Sequence, residues 1–453
     1  MEKKFCVGYA KADVTPDFPC TLTGYGNDPV RIYETVLDHI FVSCTSFTDA
    51  QDNTILMIAA DLLCAHDPVA DEIRQKASEA TGVPFDQIFL GTSHTHSAPT
   101  MHEGWIPSAR RFLDILIPRT VACCVESMAN RKPARLYLGS VETKKLNYVK
   151  HYAAKHRETG EIDFVGDQFG LLDGKFMLGH ATQADETMYV LRVAREGDKD
   201  IAIVNWRGHP HFTCSYTAKE LSSDYIGFFR EELEQLTGAH AVYFQGACGN
   251  LNTWTRIKRE GPVYANRREG LIPFSKKLAE FAYKGFRIAE EIPTGLIRTK
   301  NVVFKARVNH AQDHLIEQAK EVSKHWYATY DDSVNRKLAY SLGLRGHLQA
   351  GAITRNYNLG ETFDMPVNAM AIGDTLGMVT FPGEIFDILS VGVENQSPFD
   401  TTLMIGYCNH SMGYMPAAVT YEYTSYETDV TRYAQGVGEE LMHEYVKMLE
   451  EIK

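Results

Sequence analysis

The sequence is short of basic charge, of paired cysteines and of long apolar runs, and each shortage closes off a class of function. Its 46 lysines and arginines stand against 58 aspartates and glutamates, a formal net charge of −12 over 453 residues. Nucleic acids and anionic membranes select basic faces, so neither is expected as a partner. No window approaches the roughly 18 uninterrupted apolar residues that a membrane-spanning helix needs. The opening segment soon meets Asp13 and Pro16, with no apolar stretch long enough for an export signal. The nine cysteines are odd in number, scattered and without a Cys-x-x-Cys. Reduced thiols in a cytoplasm are therefore expected, and no cysteine-held structural zinc. Pro/Ser-rich linkers, repeats and low-complexity stretches are missing too, which favours one domain over residues 1–453. With 44% apolar and 23% charged residues, a sizeable buried core and small-molecule chemistry are expected.

What is present is an alternation of β-rich runs and helical patterns. The runs around 5–9, 39–45 and 54–60 read as neighbouring strands of one sheet. Asp67 and Pro68 open a helix with Val69, Ile73 and Ala77 on one face and Gly82 as its stop. That helix leads into Ile88-Phe-Leu-Gly-Thr92, a β-α-β succession. A helix follows Arg110 to about 130, then a strand from 134. Residues 150 to 185 read as surface loop and hairpin, and 188–193 and 201–206 as adjacent strands. A helix from Asp224 to Leu236, stopped by Gly238, precedes a strand from Val242. Helices are predicted over 270–290, over about 311–345 as one piece, and in the tail from about 430; strands are predicted over 369–372, 376–381 and 402–407. The fold class is α/β, mixed sheets flanked by helices.

The chemistry-bearing residues sit at strand exits. His94 and His96 lie one residue apart just beyond Ile88–Thr92, so an extended chain projects both the same way. Imidazole is the commonest protein metal ligand and titrates nearest neutral pH, so one pair can supply a ligand and a proton carrier. An isolated His-x-His fits equally a strand end whose rings bond backbone or water. His209 leaves the strand 201–206, and Glu384 follows the Pro382-Gly383 that ends 376–381. Active-site groups collect at strand ends in sheets flanked by helices. Two histidines and a carboxylate, far apart in sequence, form the donor set of a hydrolytic zinc site, where bound water titrates near pH 7.

These stretches also resemble the neutral (non-lysosomal) ceramidase family over nearly the whole chain. Val7-Gly-Tyr-Ala-Lys-Ala-Asp-Val-Thr-Pro16 with Gly24-Tyr-Gly26, Gly91-Thr-Ser-His-Thr-His-Ser97, His209-Pro210 with Ser222-Ser-Asp-Tyr225, Phe381-Pro-Gly-Glu384, and Tyr414 with Tyr426-Glu427 carry the resemblance, in order. It implies a ceramidase-like catalytic domain without the family's carboxy-terminal immunoglobulin-like domain. It implies that His94, His209, Glu384 and Tyr414 hold Zn2+, that His96 lies beside the reacting group and that Tyr426 hydrogen-bonds in the site. The family's catalytic serine is replaced by Asn252 in Gly249-Asn-Leu-Asn252, and the neighbouring aspartate by Asn250. An asparagine amide can orient substrate or stabilise an oxyanion but cannot be a nucleophile. A family arginine is replaced by Tyr148, with Lys150 nearby.

The expectation is a cytoplasmic zinc hydrolase, His94, His209, Glu384 and Tyr414 on the metal, His96, Tyr426 and Asn252 serving catalysis. The bond implied is an amide, the N-acyl bond of a small soluble substrate rather than ceramide, with ester, lactone or glycosidic bonds as alternatives. Two other classes stay open: a cysteine-dependent enzyme built on Cys248, and a non-catalytic binding protein on the same fold. His102, His211, Tyr421 and Tyr423 are expected to pack or face solvent.

Overall fold

The computed structural model describes residues 3–102, 107–257 and 267–453. Its larger sheet runs, edge to edge, through His240–Gln245, Ile201–Trp206, Thr187–Arg195, Lys132–Glu142, Cys6–Asp13, Phe41–Thr48, Thr54–Ala60 and Ile88–Thr92, with the short Glu290–Ile292 beside Lys132–Glu142. The interior pairs are antiparallel, while both edge strands run parallel to their neighbours. Those edges are reached by helical crossovers, Asp67–Thr81 on one side and Tyr225–Thr237 on the other, as parallel pairing requires. A smaller sheet of Ile297–Arg307, Thr362–Ile372, Leu376–Thr380 and Thr401–Ile405 also closes on a parallel pair, crossed by Asp387–Gln396.

The result is four layers. One core lies between the sheets, where Phe47, Met57, Phe89, Leu191 and Phe244 of the larger meet Met370, Met378, Leu403 and Ile405 of the smaller. Helices Asp67–Thr81, Pro107–Ala129, Tyr225–Thr237 and Arg267–Ile288 cover the outer face of the larger sheet. Helix Val437–Ile452 covers the smaller. Each large apolar side chain so buried contributes about 1.5–3 kcal/mol. The expected α/β class of mixed sheets between helices is what forms.

The larger sheet curls until its two edges meet. Gly91, on one edge, lacks the Cβ that would stand 3.0 Å from the Phe244 ring on the other. Residues 406–409 then lace edges and layers together: the Gly406 amide donates to the Gln245 carbonyl, the Tyr407 amide to Gly383 and the Asn409 amide to Leu90. Strand ends that are remote in sheet order thus open onto one spot.

Two stretches differ from the sequence expectation. The single helix of 311–345 is a chain of pieces: a turn at Asp313–Leu315, then Ile316–Thr329 and Asp332–Ser341. Tyr330 ends the first helix with a left-handed φ of 49°, and the Asp331 carboxylate caps the second by accepting from the amides of Ser333 and Val334. A further helix, His347–Tyr357, packs with these on a small core of its own. Residues 150–185, expected as loop and hairpin, form a three-stranded sheet of His151–His156, Ile162–Gly166 and Lys175–His180.

Candidate metal centre

His94 stands just past Ile88–Thr92, His209 past Ile201–Trp206 and Glu384 past Leu376–Thr380, and the layering brings all three to one point. The Nε2 atoms of His94 and His209 lie 3.4 and 3.2 Å from Oε2 of Glu384. His96 joins them, its Nε2 3.2 Å from that of His94. The ligand atoms of His94, His96 and His209 fall within 4.8 Å of one another, and all three residues are buried.

The backbone fixes which way each ring presents its lone pair. Nδ1 of His94 is 2.8 Å from the Leu63 carbonyl, Nδ1 of His96 is 3.1 Å from that of Gly24, and Nδ1 of His209 is 2.8 Å from that of Cys248. A carbonyl only accepts, so each Nδ1 carries the hydrogen and each Nε2 turns a lone pair inward. Three imidazole lone pairs and a carboxylate facing one another repel in the absence of a cation, and together they form the donor set of a divalent metal. Carbonyl-anchored rings of this kind are how proteins orient ligating histidines. The residues present therefore fit a metal.

Local strain is concentrated here. His94 has φ 64° and Tyr407 φ 53°, left-handed values rare outside glycine. Their rings stack 4.0 Å apart. Burial, then the neighbouring imidazoles, hold the His96 ring well below its usual pKa. Burial, then Lys150, push His209 down to about 4. Burial opposes ionisation of Glu384, but the His94 and His209 rings outweigh it and hold the carboxyl well below the usual range. At neutral pH the centre is a carboxylate beside His96 and His209 rings that burial holds neutral.

Tyr414 belongs to the same point: Tyr414–Met415 pairs in parallel with Glu384–Ile385, and burial, then the Glu384 charge, hold the Tyr414 hydroxyl well above its usual pKa. Tyr426 opens the helix Tyr426–Val430, whose cap is Ser425, and packs edge-on against Tyr414 at 5.5 Å. Asn252 is bridged by its backbone to His209, but its side-chain amide donates to Asp167 at 2.9 Å. The amide of Asn250 donates to Asp387 at 2.7 Å while its carbonyl accepts from the Asp387 backbone, a clamp under the Gly249 turn. At the arginine-equivalent stretch, the Tyr148 hydroxyl donates to the Lys145 carbonyl. Lys150 instead reaches the site, its ammonium 5.0 Å from the Tyr414 ring centre and 2.8 Å from Glu427.

Beside the cluster opens a cleft of about 230 Å3, lined by His96, Tyr414 and Tyr426 together with Tyr25, Phe169, Tyr216, His211 and Arg336. Sequence reasoning missed the last five. His211 was readable, since His209-Pro-His211 repeats the spacing of His94-Thr-His96; its Nε2 lies 3.3 Å from that of His96. The others arrive on loops and on the three-helix unit, with no local signal. His102 packs edge-on against His66, Tyr421 bonds the Tyr433 carbonyl and Tyr423 stacks on Phe164, all structural placements. Cys248 is fully buried, bonded to the Tyr407 hydroxyl and pushed up to about 12 by burial, which keeps it a thiol. That works against a nucleophilic role. The sequence also leads one to expect the loops from about 150 to 185 and 250 to 270 to shape the pocket; residues 258–266 of the second lie outside the described residues.

No protein-family model and no curated protein matches the sequence. Solved structures match it by fold. The neutral ceramidase from Pseudomonas aeruginosa superposes with a TM-score of 0.69 at 16% identity, covering 99% of this chain and 74% of that one. A ceramidase complexed with C2 matches with the same TM-score and identity, over 75% of its length. Across nearly its whole length, this chain has the fold of those ceramidase structures.

Proposed function

We propose that the protein is a metal-dependent hydrolase, zinc being the expected ion, that cuts an amide (N-acyl) bond of a small substrate. The observation that carries this reading is the convergence of His94, His96 and His209 on the Glu384 carboxylate, with every Nε2 lone pair aimed inward. His94, His209, Glu384 and Tyr414 would hold the metal. A divalent ion there supplies Lewis acidity, polarising a carbonyl and making water nucleophilic near neutral pH.

The protein's own groups then divide the remaining work. His96 faces the cleft, with Nδ1–H bound to the Gly24 carbonyl. Its Nε2 is thereby the atom that takes a proton from attacking water and returns it to the leaving amine. Tyr426, on the cleft wall, offers its hydroxyl to the substrate carbonyl. Asn252 holds Asp167 behind the site. Ester, lactone and glycosidic bonds are open to the same chemistry, and the Asn252 amide, spent on Asp167, leaves room for a non-catalytic binding protein.

The test is a panel of simple amide, ester and glycoside chromogens, with and without chelator, beside metal analysis of the purified protein. Turnover that chelator abolishes and zinc restores is expected. Stoichiometric metal that survives His94→Ala, or turnover indifferent to chelator, would defeat the proposal. Among the described residues no helix is long and apolar enough to cross a membrane.

A further inference from the structure

Arg336 stands on the helix Asp332–Ser341 and lines the cleft together with His96 and His211. Its guanidinium lies 5.4 Å from the centre of the Phe169 ring. Phe169 packs 5.5 Å from Tyr426, and Tyr426 5.5 Å from Tyr414, whose strand pairs with that of Glu384. One continuous aromatic wall thus joins the guanidinium to the metal cluster. The wall is held under strain: Phe169 has φ 54°, a left-handed value for a bulky residue, and its carbonyl accepts from the Tyr340 hydroxyl at 3.2 Å. Such strain persists where surrounding structure enforces it, commonly at ligand clamps.

The three-helix unit carrying Arg336 is fixed to the loop that orients His96. Trp326 Nε1 donates to the Gly26 carbonyl at 3.1 Å and His347 Nε2 to that of Tyr25 at 3.2 Å, while the Gly24 carbonyl accepts from His96. Arg336 is therefore held in register with the reacting end. Among the described residues lining the cleft it is the one with a permanent charge, and no carboxylate lines the cleft. Asp332 bonds its Nη2 at 2.5 Å, one turn back on the same helix. The pair is half-buried, but a guanidinium offers five N–H donors in a planar fork, so one carboxylate does not exhaust it.

We propose that the cleft takes a small amide that carries a carboxylate, and that Arg336 is the residue that recognises it. The bond cut rests on the hydrolase reading above; recognition of the acid does not. A cleft of about 230 Å3, below the usual range for drug-sized ligands, suits such a compact acid better than two long hydrocarbon chains.

The experiment compares binding of N-butanoylglycine and N-butanoyl-β-alanine with their methyl esters by calorimetry, alongside their hydrolysis, in the metal-loaded protein. The acids should bind at least about tenfold tighter than the esters, as a charge-assisted contact gives. Arg336→Gln should erase that ratio, and Asp332→Asn, which releases the guanidinium, should raise it. Thermal melts of both variants guard against misfolding. Equal binding of acid and ester, or a preference that survives Arg336→Gln, overturns the proposal. Acid-selective binding without hydrolysis of any panel member upholds it and defeats the hydrolase reading instead.

Discussion

Lys150 and Glu427 form an ion pair of 2.8 Å with side chains only 2% and 1% exposed, directly beneath the Tyr414 ring. His151 adds a second bond to the same carboxylate at 2.9 Å. Burial opposes the charge on Glu427, but Lys150 and then His151 outweigh it and bring the carboxyl down to about 2. Lys150→Met should cost about 3–5 kcal/mol, because it leaves a buried carboxylate short of its partner. Lys150→Met with Glu427→Gln should recover part of that loss. Urea unfolding checks both; a double variant weaker than the sum of the singles would contradict the pairing.

The division of labour within the histidine cluster is separable. His94→Ala removes an inward ligand, so bound metal should be lost with turnover. His96→Ala should retain metal while turnover falls by about 10²–10⁴, the usual worth of a positioned proton carrier. Plasma emission analysis beside kinetics on one substrate reads both. Metal lost equally in the two variants would place His96 among the ligands and shift the proton-carrying role elsewhere, His211 being the neighbouring imidazole at 3.3 Å.

What the sequence made legible follows the range of the forces involved. Strands such as Ile201–Trp206 and the helix Asp67–Thr81, ending at Gly82 with φ 76°, are written in local periodicity and caps. The exits of those strands located His94, His209 and Glu384. The closure of the larger sheet depends on Phe244 meeting Gly91 across its two edges, which no local pattern carries. Arg336, Phe169 and Tyr25 reach the cleft through such long-range packing. Tyr330 breaks a helix in a left-handed conformation usually marked by glycine, so 311–345 read as unbroken.

His347 makes stability depend on mild acid. Its ring stacks on Trp326 at 3.5 Å and 6°, and burial pushes its pKa from 6.5 to about 4. Above pH 6.5 both folded and unfolded chains hold the ring neutral. As pH falls from there towards 4, the unfolded chain takes up a proton that the folded one refuses, so stability falls, by up to about 3 kcal/mol. His347→Phe keeps an aromatic stack and removes the titration. Its unfolding free energy should therefore fall less than that of the parent between about pH 7 and about pH 5. Equal declines would show that the ring does not titrate as its burial demands.

Gly24 tests whether the placement of His96, rather than its mere presence, matters. Gly24 has φ 131°, and a Cβ there would stand 2.6 Å from Nδ1 of His96, inside any permissible contact. Gly24→Ala should therefore push the ring off the carbonyl that fixes its tautomer. A displacement of about 1 Å can cost about 10²-fold in rate, while bound metal should stay at the parent's level. The change also carries a backbone penalty, so activity must be compared with a control. Gly82→Ala, at φ 76° with nothing within 4 Å of the added methyl, imposes the same kind of strain, about 1–3 kcal/mol, far from the cleft. Gly82→Ala should lower stability alone, and Gly24→Ala should lower turnover beyond what its stability loss explains. Similar turnover in the two variants, at equal metal content, would mean that the His96 ring is not held in place by this loop.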